Sequence, residues 1–498
     1  MLREHDKNAE EIDYLYNFYK GKQPILFKEK IVRPEINNKV LENHAYEIVE
    51  FKKAYIYGEP VQYVQKGEKN NDIINPNISE LNKYMEFEDK STVDKDVAEW
   101  QYICGTGYKW VDEDSETDED EDESPFELRC LDPRYTFVVY SSGVRGEVLF
   151  SGHYSYISDT IQTEEQPEFA TKSRIITIYT DTFMCKIKGN AAGIYTIIKE
   201  PVTIDEKTVE VEQYPLVRKG QRIIEYPLNN GRLGIIEIVM SILNAINRIK
   251  SNDLDGIEQF VQSLLVFINQ AVDPDDFKEL LALGAVEINS NDPNKPADLK
   301  LLVNQLKHSE TKIVVDDLYQ AMLNIVGIPR MTTKSSGGDT GAARELGDGW
   351  TMADERAKQD ELSFKKSERK LLKTVLSICK GKKILEKLKL SDIDIKFTRN
   401  KSDNLLVKTE GLLNMKNAEV PPDVAFTISG LFSDPNDVYA QALKYYGKNL
   451  WKDDYTADID KVTSGAEGEK APVPKNNEDG SEKNEGTESE ELKGTKKN

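Results

Sequence analysis

The sequence predicts an α+β chain with several parts and an elongated plan. Residues 130–205 alternate with a period of two and are rich in β-branched and aromatic side chains, which predicts a β-rich region. Two apolar-faced helices, at 235–264 and 309–327, flank a small α/β segment. A polar loop and a long charged helix follow the second of them. This order of elements suits a subunit standing in a ring better than a compact enzyme.

The N-terminal region is predicted to be helical from residue 7 to residue 65. Ile12, Leu15 and Tyr19 form one short apolar stripe, and a second stripe ends at Gly58-Glu-Pro60. Glycine and proline together disfavour continuation of the helix, so we expect it to end there.

An acidic segment follows at residues 112–123, where only Ser115 and Thr117 are not acidic. Its charges repel one another too strongly for it to fold alone. Tyr108-Lys-Trp110 before it and Phe126-Glu-Leu128 after it look like paired strands. We therefore predict a solvated hairpin tip, and a cation site or a dock for a basic partner is the alternative.

The two apolar-faced helices flank a small module. The first helix follows a loop that contains Tyr226-Pro227, and its isoleucines form a stripe that must pack against another element: Ile235, Ile238, Ile242, Ile246 and Ile249. Leu265-Val-Phe-Ile268 and the run from Leu299 to Val303 are predicted strands of the module. The second helix ends at Gly327-Ile-Pro329, as expected for residues that terminate helices.

A long helix is predicted at residues 342–380. Its first half, which includes Asp354 to Glu361, is too polar to sit in the core of one chain. Its end has an apolar face that includes Leu371 and Val375. A helix whose surface is polar over much of its length usually crosses between domains or packs against other subunits, and we expect one of these two arrangements for this helix.

The C-terminal part begins with a strand at Ile393-Asp-Ile-Lys-Phe397. Helices are predicted to start at Ser402 and at Asp434-Pro435, where the side chains are suited to the first turn. Residues 463–498 have hardly an apolar side chain and are predicted to be a disordered tail.

Composition excludes several classes of protein. The formal net charge of −22 argues against tight, nonspecific wrapping of nucleic acid. It allows a loose sleeve around DNA, or it reflects ordinary solubility. No apolar signal core and no stretch of about 18 apolar residues occurs, so we expect a soluble protein without a membrane segment. No phosphate-binding glycine loop, dinucleotide fingerprint, zinc-protease motif or nucleophile elbow is present, which disfavours an ATP-driven motor or a hydrolase.

Candidate reactive residues are few and scattered. The cysteines lack metal-binding spacing and suit a reducing environment: Cys104, Cys130, Cys185 and Cys379. The histidines are also far apart: His5, His44, His153 and His308. We therefore expect no catalytic residues, no metal and no cofactor. Asp253 and Asp255 form a loose carboxylate pair that could serve a metal-dependent reaction, and helix surface is the simpler interpretation.

Several fragments, in this order and spacing, carry a resemblance to a known family. They are Asn37-Asn-Lys39, Tyr46 to Tyr55, Tyr57-Gly58-Glu-Pro60, Asp132-Pro-Arg134, Asn229-Asn-Gly-Arg232, Ser251-Asn-Asp253, Gly327-Ile-Pro329, Ser336-Gly337 and Gly341-Ala342-Ala343. Over about residues 37–446 the chain resembles the portal proteins of tailed double-stranded-DNA bacteriophages, in the branch found in siphophages.

The resemblance implies a non-enzymatic ring, commonly of twelve subunits, at one capsid vertex, with the chain divided into named parts. The parts are an N-terminal helical arm (1–24), a wing (25–234) with the long helix (342–380), stem helices (235–264 and 309–327), a clip (265–308), a tunnel loop (328–346), a strand linker (381–399), a crown (400–452) and the tail (463–498).

The tunnel loop is the implied DNA-contacting element. Arg330, Lys334 and Arg344 would meet phosphates, and hydroxyl groups would make weak contacts that yield as the duplex moves: Thr332, Thr333, Ser335 and Ser336. Without the resemblance, the same segment is an ordinary exposed connector.

Partners and location follow from the same resemblance. The clip would dock the terminase large subunit and later the head-to-tail connector, while crown and wing would face the major capsid and scaffold proteins. The protein would assemble in the host cytoplasm and end in the virion. Two rivals remain: a metal-dependent nucleic-acid-processing enzyme that uses Asp253 and Asp255, and an acidic assembly scaffold or chaperone.

Overall fold

The computed structural model describes most of the chain up to residue 446. The described residues are 2–31, 33–66, 74–113, 123–144, 146–160, 170–189, 194–204, 207–261, 264–268, 298–302, 308–329, 349–399, 405–429, 431–432 and 435–446.

The structure is mixed helix and sheet, as the sequence predicts. Its helices are α1 (Leu2–Tyr19), α2 (His44–Tyr57), α3 (Ile74–Phe87), α4 (Lys90–Cys104), α5 (Ile235–Val261), α6 (His308–Val326), α7 (Trp350–Gly381), α8 (Leu405–Asn417), α9 (Pro422–Ser429) and α10 (Pro435–Tyr446). The prediction of helix over 7–65 is wrong between α1 and α2, where a 3-10 turn at Pro24–Phe27 and extended chain intervene. It is also wrong at Gln62–Gln65, which form a strand.

The strands pair antiparallel throughout the described part. They are β1 (Gln62–Gln65), β2 (Thr106–Glu113), β3 (Phe126–Leu131), β4 (Thr136–Tyr140), β5 (Val148–Thr160), β6 (Ala170–Tyr179), β7 (Phe183–Gly189), β8 (Tyr195–Ile198), β9 (Glu200–Ile204), β10 (Lys207–Val211), β11 (Tyr214–Pro215), β12 (Ile223–Pro227), β13 (Leu264–Ile268), β14 (Asp298–Leu302) and β15 (Ile393–Lys396). A six-stranded sheet runs in the order β11-β7-β6-β5-β4, with β8 also on β7. The predicted β-rich region is therefore confirmed.

The strands around the acidic segment pair as predicted. Tyr108 lies opposite Leu131 and Glu113 lies opposite Phe126 in the β2–β3 pair. Residues 114–122, which hold most of the acidic segment, lie outside the described residues. β12 completes a three-stranded sheet by pairing with the other edge of β2. The sequence prediction of a loop at Tyr226-Pro227 is wrong, because both residues belong to this strand.

One large hydrophobic core joins α1 to α5 with α6, α7, β2, β3 and β12. Phe18, Ile48, Val97 and Val239 are among its fully buried members. A small separate cluster of Phe137, Tyr154 and Ile176 lies on the six-stranded sheet. Helix α1 belongs to the large core through Leu15 and Phe18, and is thus packed along its second half.

Helix α7 corrects the expectation that its first half is too polar for one chain's core. Ala353, Ala357 and Phe364 are buried in the main core, and Glu361 is buried beside them. The polar side chains are accepted because they have partners in the same chain: Tyr55 and Arg399 for Asp354, Arg399 for Glu361 and Tyr102 for Asp360. The helix is described from Trp350, so residues 342–348 lie outside the described part.

The elements around the small module agree with the predictions where they are described. Helix α5 is continuous to Val261, and β13 and β14 pair with each other. Residues 269–297, the middle of the small module, lie outside the described part. In the C-terminal region β15 pairs with β1, and α8 and α10 match the predicted helices. Helix α9 was not predicted, and residues 447–498 lie outside the described part.

Candidate functional site

Helices α5 and α6 are the two that flank the small module, and they pack against each other. On α5, Ile236, Val239 and Leu243 are fully or almost fully buried. Met322 and Leu323 of α6 are buried in the same core. The two helices are therefore held together by the large hydrophobic core.

The predicted isoleucine stripe of α5 is only partly buried. Ile235 and Ile246 are buried, whereas Ile238 is 50% exposed. On α6, Ile313 is 59% exposed and Val314 is 48% exposed. Large apolar side chains on both helices thus remain uncovered by the described part of this chain.

An extended strap, residues 38–42, runs along α5 and is tied to it by hydrogen bonds. The backbone N–H of Val40 donates to Ser251 Oγ at 2.9 Å. The backbone N–H of Glu42 donates to Asn247 Oδ1 at 2.9 Å. Ser251 and Asn247 are fully buried, so the strap and not solvent covers this part of α5.

Asp255 anchors the far end of the same strap, which corrects the interpretation of this residue as helix surface. Its carboxylate is buried and accepts hydrogen bonds from Lys28 Nζ at 2.8 Å and from the backbone N–H of Asn38 at 2.6 Å. Burial alone would raise the pKa of Asp255, but these donors and the Lys28 charge outweigh it and lower the pKa. The carboxylate is therefore engaged structurally, which weakens the enzyme hypothesis built on Asp253 and Asp255.

The base of the predicted tunnel loop is well defined. Helix α6 ends at Gly327, whose φ of +69° favours glycine, and the Arg356 side chain lies where a Cβ would stand. A Cβ on Gly349 would lie 4.0 Å from the Cα of Pro329, so the two flanks of the 330–348 segment are adjacent. Trp350 then packs its ring near Tyr55, with centroids 5.8 Å apart.

The predicted DNA-contacting side chains are not placed by the structure. All of them lie outside the described residues: Arg330, Thr332, Thr333, Lys334, Ser335, Ser336 and Arg344. What the structure contributes is the position of the two residues that flank them, Pro329 and Gly349.

Two other fragments singled out in the sequence also acquire physical roles. In Asp132-Pro-Arg134, the Arg134 guanidinium contacts both oxygens of Asp132 and lies over the Tyr16 ring at 4.6 Å. In Asn229-Asn-Gly-Arg232, Arg232 Nε donates to Glu225 at 2.6 Å. Both fragments connect a helix to a neighbouring sheet: the first contacts α1, and the second links the start of α5 to β12.

A buried charge cluster, which sequence reasoning missed, lies where α4, β2 and α7 meet. Lys90 and Lys109 each contact both Asp94 and Glu368, and all four side chains are almost inaccessible to solvent. Tyr226 also donates to Glu368, at 2.6 Å. The available signal was Lys109 itself, a charged residue between Tyr108 and Trp110 in a predicted strand.

The charges of this cluster balance each other. Burial alone would raise the pKa of Glu368, but Lys109 and Lys90 outweigh it and hold the pKa well below its usual range. Burial would likewise lower the pKa of Lys90, and the carboxylates of Asp94 and Glu368 raise it. Glu368 and Lys90 are therefore ionised at neutral pH, and their role is structural.

Nothing in the described part of the chain suggests a metal centre or a membrane segment. No group of three or more His, Cys, Asp or Glu side chains with metal-binding geometry occurs there. The four cysteines are free thiols. None of the described helices has both the length and the apolar character needed to cross a bilayer.

Comparison with known proteins agrees with this arrangement. The family model described as "Phage portal protein, SPP1 Gp6-like" matches residues 1–442 of the 498. A search of curated proteins found no match. The family is structural and not enzymatic, and membership implies a place at the capsid vertex of a virion. The chain belongs to the SPP1 Gp6-like family of phage portal proteins, and its function is that of a phage portal, the head-to-tail connector in DNA packaging.

Proposed function

We propose that copies of this chain form a closed ring, with twelve subunits as the expected number, and that α5 and α6 line its channel for double-stranded DNA. The observation that carries the proposal is the uncovered apolar surface on both helices. Ile238, Ile313 and Val314 are about half exposed or more, although other residues of the same helices, such as Val239 and Met322, are buried. Apolar patches of this kind mark interaction surfaces, and a neighbouring copy of the same pair would cover them.

The proposed parts follow the sequence boundaries. The wing is 25–234 with the long helix 342–380, the stem is 235–264 with 309–327, and smaller parts complete the subunit: the arm (1–24), the clip (265–308), the strand linker (381–399), the crown (400–452) and the tail (463–498). The strap along α5 supports this division, because it ties the stem to the wing through Val40 and Asp255.

The loop 328–346 is proposed to face the DNA. Its flanks, Pro329 and Gly349, are adjacent and anchored, so the segment between them leaves and returns at one point of the stem end. Arg330, Lys334 and Arg344 would contact phosphates, and the hydroxyl groups of Thr332, Thr333, Ser335 and Ser336 would contact them weakly.

The proposed partners are those of a portal. The clip would dock the terminase large subunit during packaging and the head-to-tail connector afterwards. The crown and wing would face the major capsid and scaffold proteins. Assembly would take place in the host cytoplasm.

Ring formation is tested by negative-stain electron microscopy with mass from light scattering. Rings with a central hole near 20 Å or wider, about the width of a duplex, are expected. Particles that stay monomeric both alone and with scaffold protein would contradict the proposal.

The loop is tested by the double variant Lys334→Ala with Arg344→Ala. It should assemble rings like the wild type yet package less DNA, because two phosphate contacts are lost. The measurement is the amount of nuclease-protected DNA per assembled head. Packaging equal to that of the wild type would remove the phosphate role from these two residues without affecting the ring.

A further inference from the structure

Helix α7 carries a basic ridge on the face turned away from the core. Between residues 365 and 389 the chain has ten Lys or Arg and two Glu. One of the two, Glu368, is buried in the charge cluster, so Glu386 is the exposed acid of this segment. This distribution is the reverse of the acidic balance of the whole chain.

The geometry of the helix gathers these charges. At 3.6 residues per turn, the exposed members fall within an arc of roughly 100°. We call them the basic ridge: Lys366, Arg369, Lys370, Lys373 and Lys380. From the first to the last they span about 21 Å at 1.5 Å per residue. The ridge is thus a row of cations along one side of the helix.

The ridge rests on a rigid base. The opposite face of α7 places Leu371, Leu372 and Val375 in the main core at 0% exposure. Glu368 fixes the same turn through Lys90 and Lys109. The cations are therefore held on a preorganised rod.

The ridge continues past the end of the helix. Arg218 Nη2 donates to the Gly381 carbonyl at 3.1 Å, which brings the exposed Lys219 to this end. Lys383, Lys387 and Lys389 are exposed in the segment that follows.

The positive charges are not neutralised by carboxylates of the described residues. None of the ridge members forms an ion pair within that part of the chain. Burial and the neighbouring Lys366 charge lower the pKa of Lys370, and the Glu225 carboxylate offsets this only in part. Unpaired cations in a row are suited to a polyanion.

We propose that the basic ridge is a second DNA-binding surface, which holds the phosphate backbone of duplex DNA on the outside of the wing and apart from the channel. Cations at intervals of one helical turn can each meet a phosphate without reading sequence. An acidic protein is the less suitable partner. Protein interfaces are depleted of lysine and depend on apolar anchors, and no large hydrophobic side chain is exposed within the described residues 365–389.

A closed circular duplex separates this surface from the channel, because a circle cannot thread a closed ring. Binding of the circle to the full-length protein is measured across a series of salt concentrations. The ridge variant is K366Q/R369Q/K370Q/K373Q. The matched control is R3Q/K7Q/K20Q/K22Q. Like the ridge variant, it removes three lysines and one arginine, but from exposed positions in and after α1.

The wild type and the control should bind the circle alike. The ridge variant should bind at least about tenfold more weakly near 0.1 M salt. Its slope of log K against log salt should be shallower by about 3 to 4, as expected for the loss of four phosphate contacts. A charge-preserving variant, K366R/K370R/K373R, should retain binding, and the loop variant Lys334→Ala with Arg344→Ala should retain it too.

Three outcomes would overturn the proposal. The first is that the wild type does not bind the circle. The second is that the ridge variant binds the circle as well as the control variant does. In the third, the wild type captures a polyglutamate peptide through the ridge in preference to the circle, which would assign the surface to an acidic protein. Since each assay also works on unassembled subunits, none of these results bears on the ring or the channel loop.

Discussion

The proposed wing and the proposed stem of this subunit differ in how they accommodate side chains that are unfavourable in their surroundings. In the wing, α7 carries Glu368 into the core, where Lys90 and Lys109 of the same chain neutralise it. In the stem, α6 leaves Ile313 and Val314 exposed, with no covering element in the described part of the chain. The difference fits the proposed ring, in which neighbouring copies would cover the exposed apolar side chains of the stem, whereas the buried charges of the wing have partners in the same chain.

The first prediction tests whether the buried charge cluster stabilises the proposed wing. Glu368→Ala leaves two buried lysines with one remaining carboxylate, and removing one partner of a buried ion cluster costs about 3–5 kcal/mol. We expect a large fall in the urea midpoint of unfolding, measured by circular dichroism. The control is Glu386→Ala, which removes an exposed carboxylate close in sequence and should leave the midpoint unchanged. Equal midpoints for both variants would show that the cluster does not stabilise the wing.

The second prediction tests whether the exposed apolar side chains of α6 form the contact between subunits of the proposed ring. Val314→Ser with Ile325→Ser removes two exposed apolar side chains that lie on one face of α6. Each contributes about 1 kcal/mol per interface when covered, so ring assembly should weaken at every interface around the ring. Light scattering should show subunits at concentrations where the wild type forms rings, with the urea midpoint of the subunit little changed.

The matched control for the stem uses the opposite side of the same helix. Lys312→Ser with Asp316→Ser changes two exposed polar residues there and should assemble like the wild type. If the control and the apolar variant assemble equally well, the exposed apolar face of α6 is not the ring contact.

The third prediction concerns the strap that joins wing to stem. Asp255→Asn keeps the shape of the side chain but removes the charge that Lys28 neutralises, at a cost of about 1–3 kcal/mol. We expect faster limited proteolysis within residues 28–40, with Glu237→Gln, which changes an exposed carboxylate on the same helix, as the control. Because the folded-state pKa of Asp255 is lowered, its contribution is present above the unfolded pKa and is lost as the pH falls below about 4. Proteolysis at the wild-type rate would show that the carboxylate does not hold the strap.

Local patterns predicted much of the fold, and long-range partners explain where they failed. The β2–β3 pair and helices α5 and α6 follow from periodicity within a few residues. The burial of the first half of α7 does not, since Asp354 depends on Tyr55 and Glu361 depends on Arg399, residues distant in sequence. Strand β12 was missed because Tyr226-Pro227 has the composition of a turn, although Pro227 stands at the end of the strand, where a missing N–H is tolerated.

The candidate site divides in the same way. Its supporting helices, α5 and α6, could be predicted because their apolar residues recur with the spacing of an α-helix. The polar side of α5 could not, because Asn247, Ser251 and Asp255 bind a strap more than 200 residues away. The predicted DNA-contacting residues, from Arg330 to Arg344, remain a prediction.

The smallest expected effect is a pH dependence where wing meets stem. His44 of α2 lies between Glu42 and Glu47, with its ring 4.8 Å from that of Tyr319 on α6. Burial lowers the pKa of His44, but the hydrogen bonds and charges of Glu47 and Glu42 outweigh this and raise it above 6.5. A raised folded-state pKa means stability that is fully present below pH 6.5 and is lost as the pH rises through the folded-state value.

His44→Gln should therefore lower the urea midpoint below pH 6.5, where the charged His44 stabilises the wild type. Well above the folded-state pKa the two proteins should have similar midpoints, so the variant should show a shallower decline as the pH rises. His153 offers the opposite case, because burial lowers its pKa and no carboxylate hydrogen bond compensates among the described residues. His153→Gln should leave that decline in place and should instead reduce any loss of stability on the acid side of pH 6.5. If His44→Gln and the wild type decline in parallel, the contact between His44 and Tyr319 holds wing and stem together by packing alone, and the charge of His44 has no part in it.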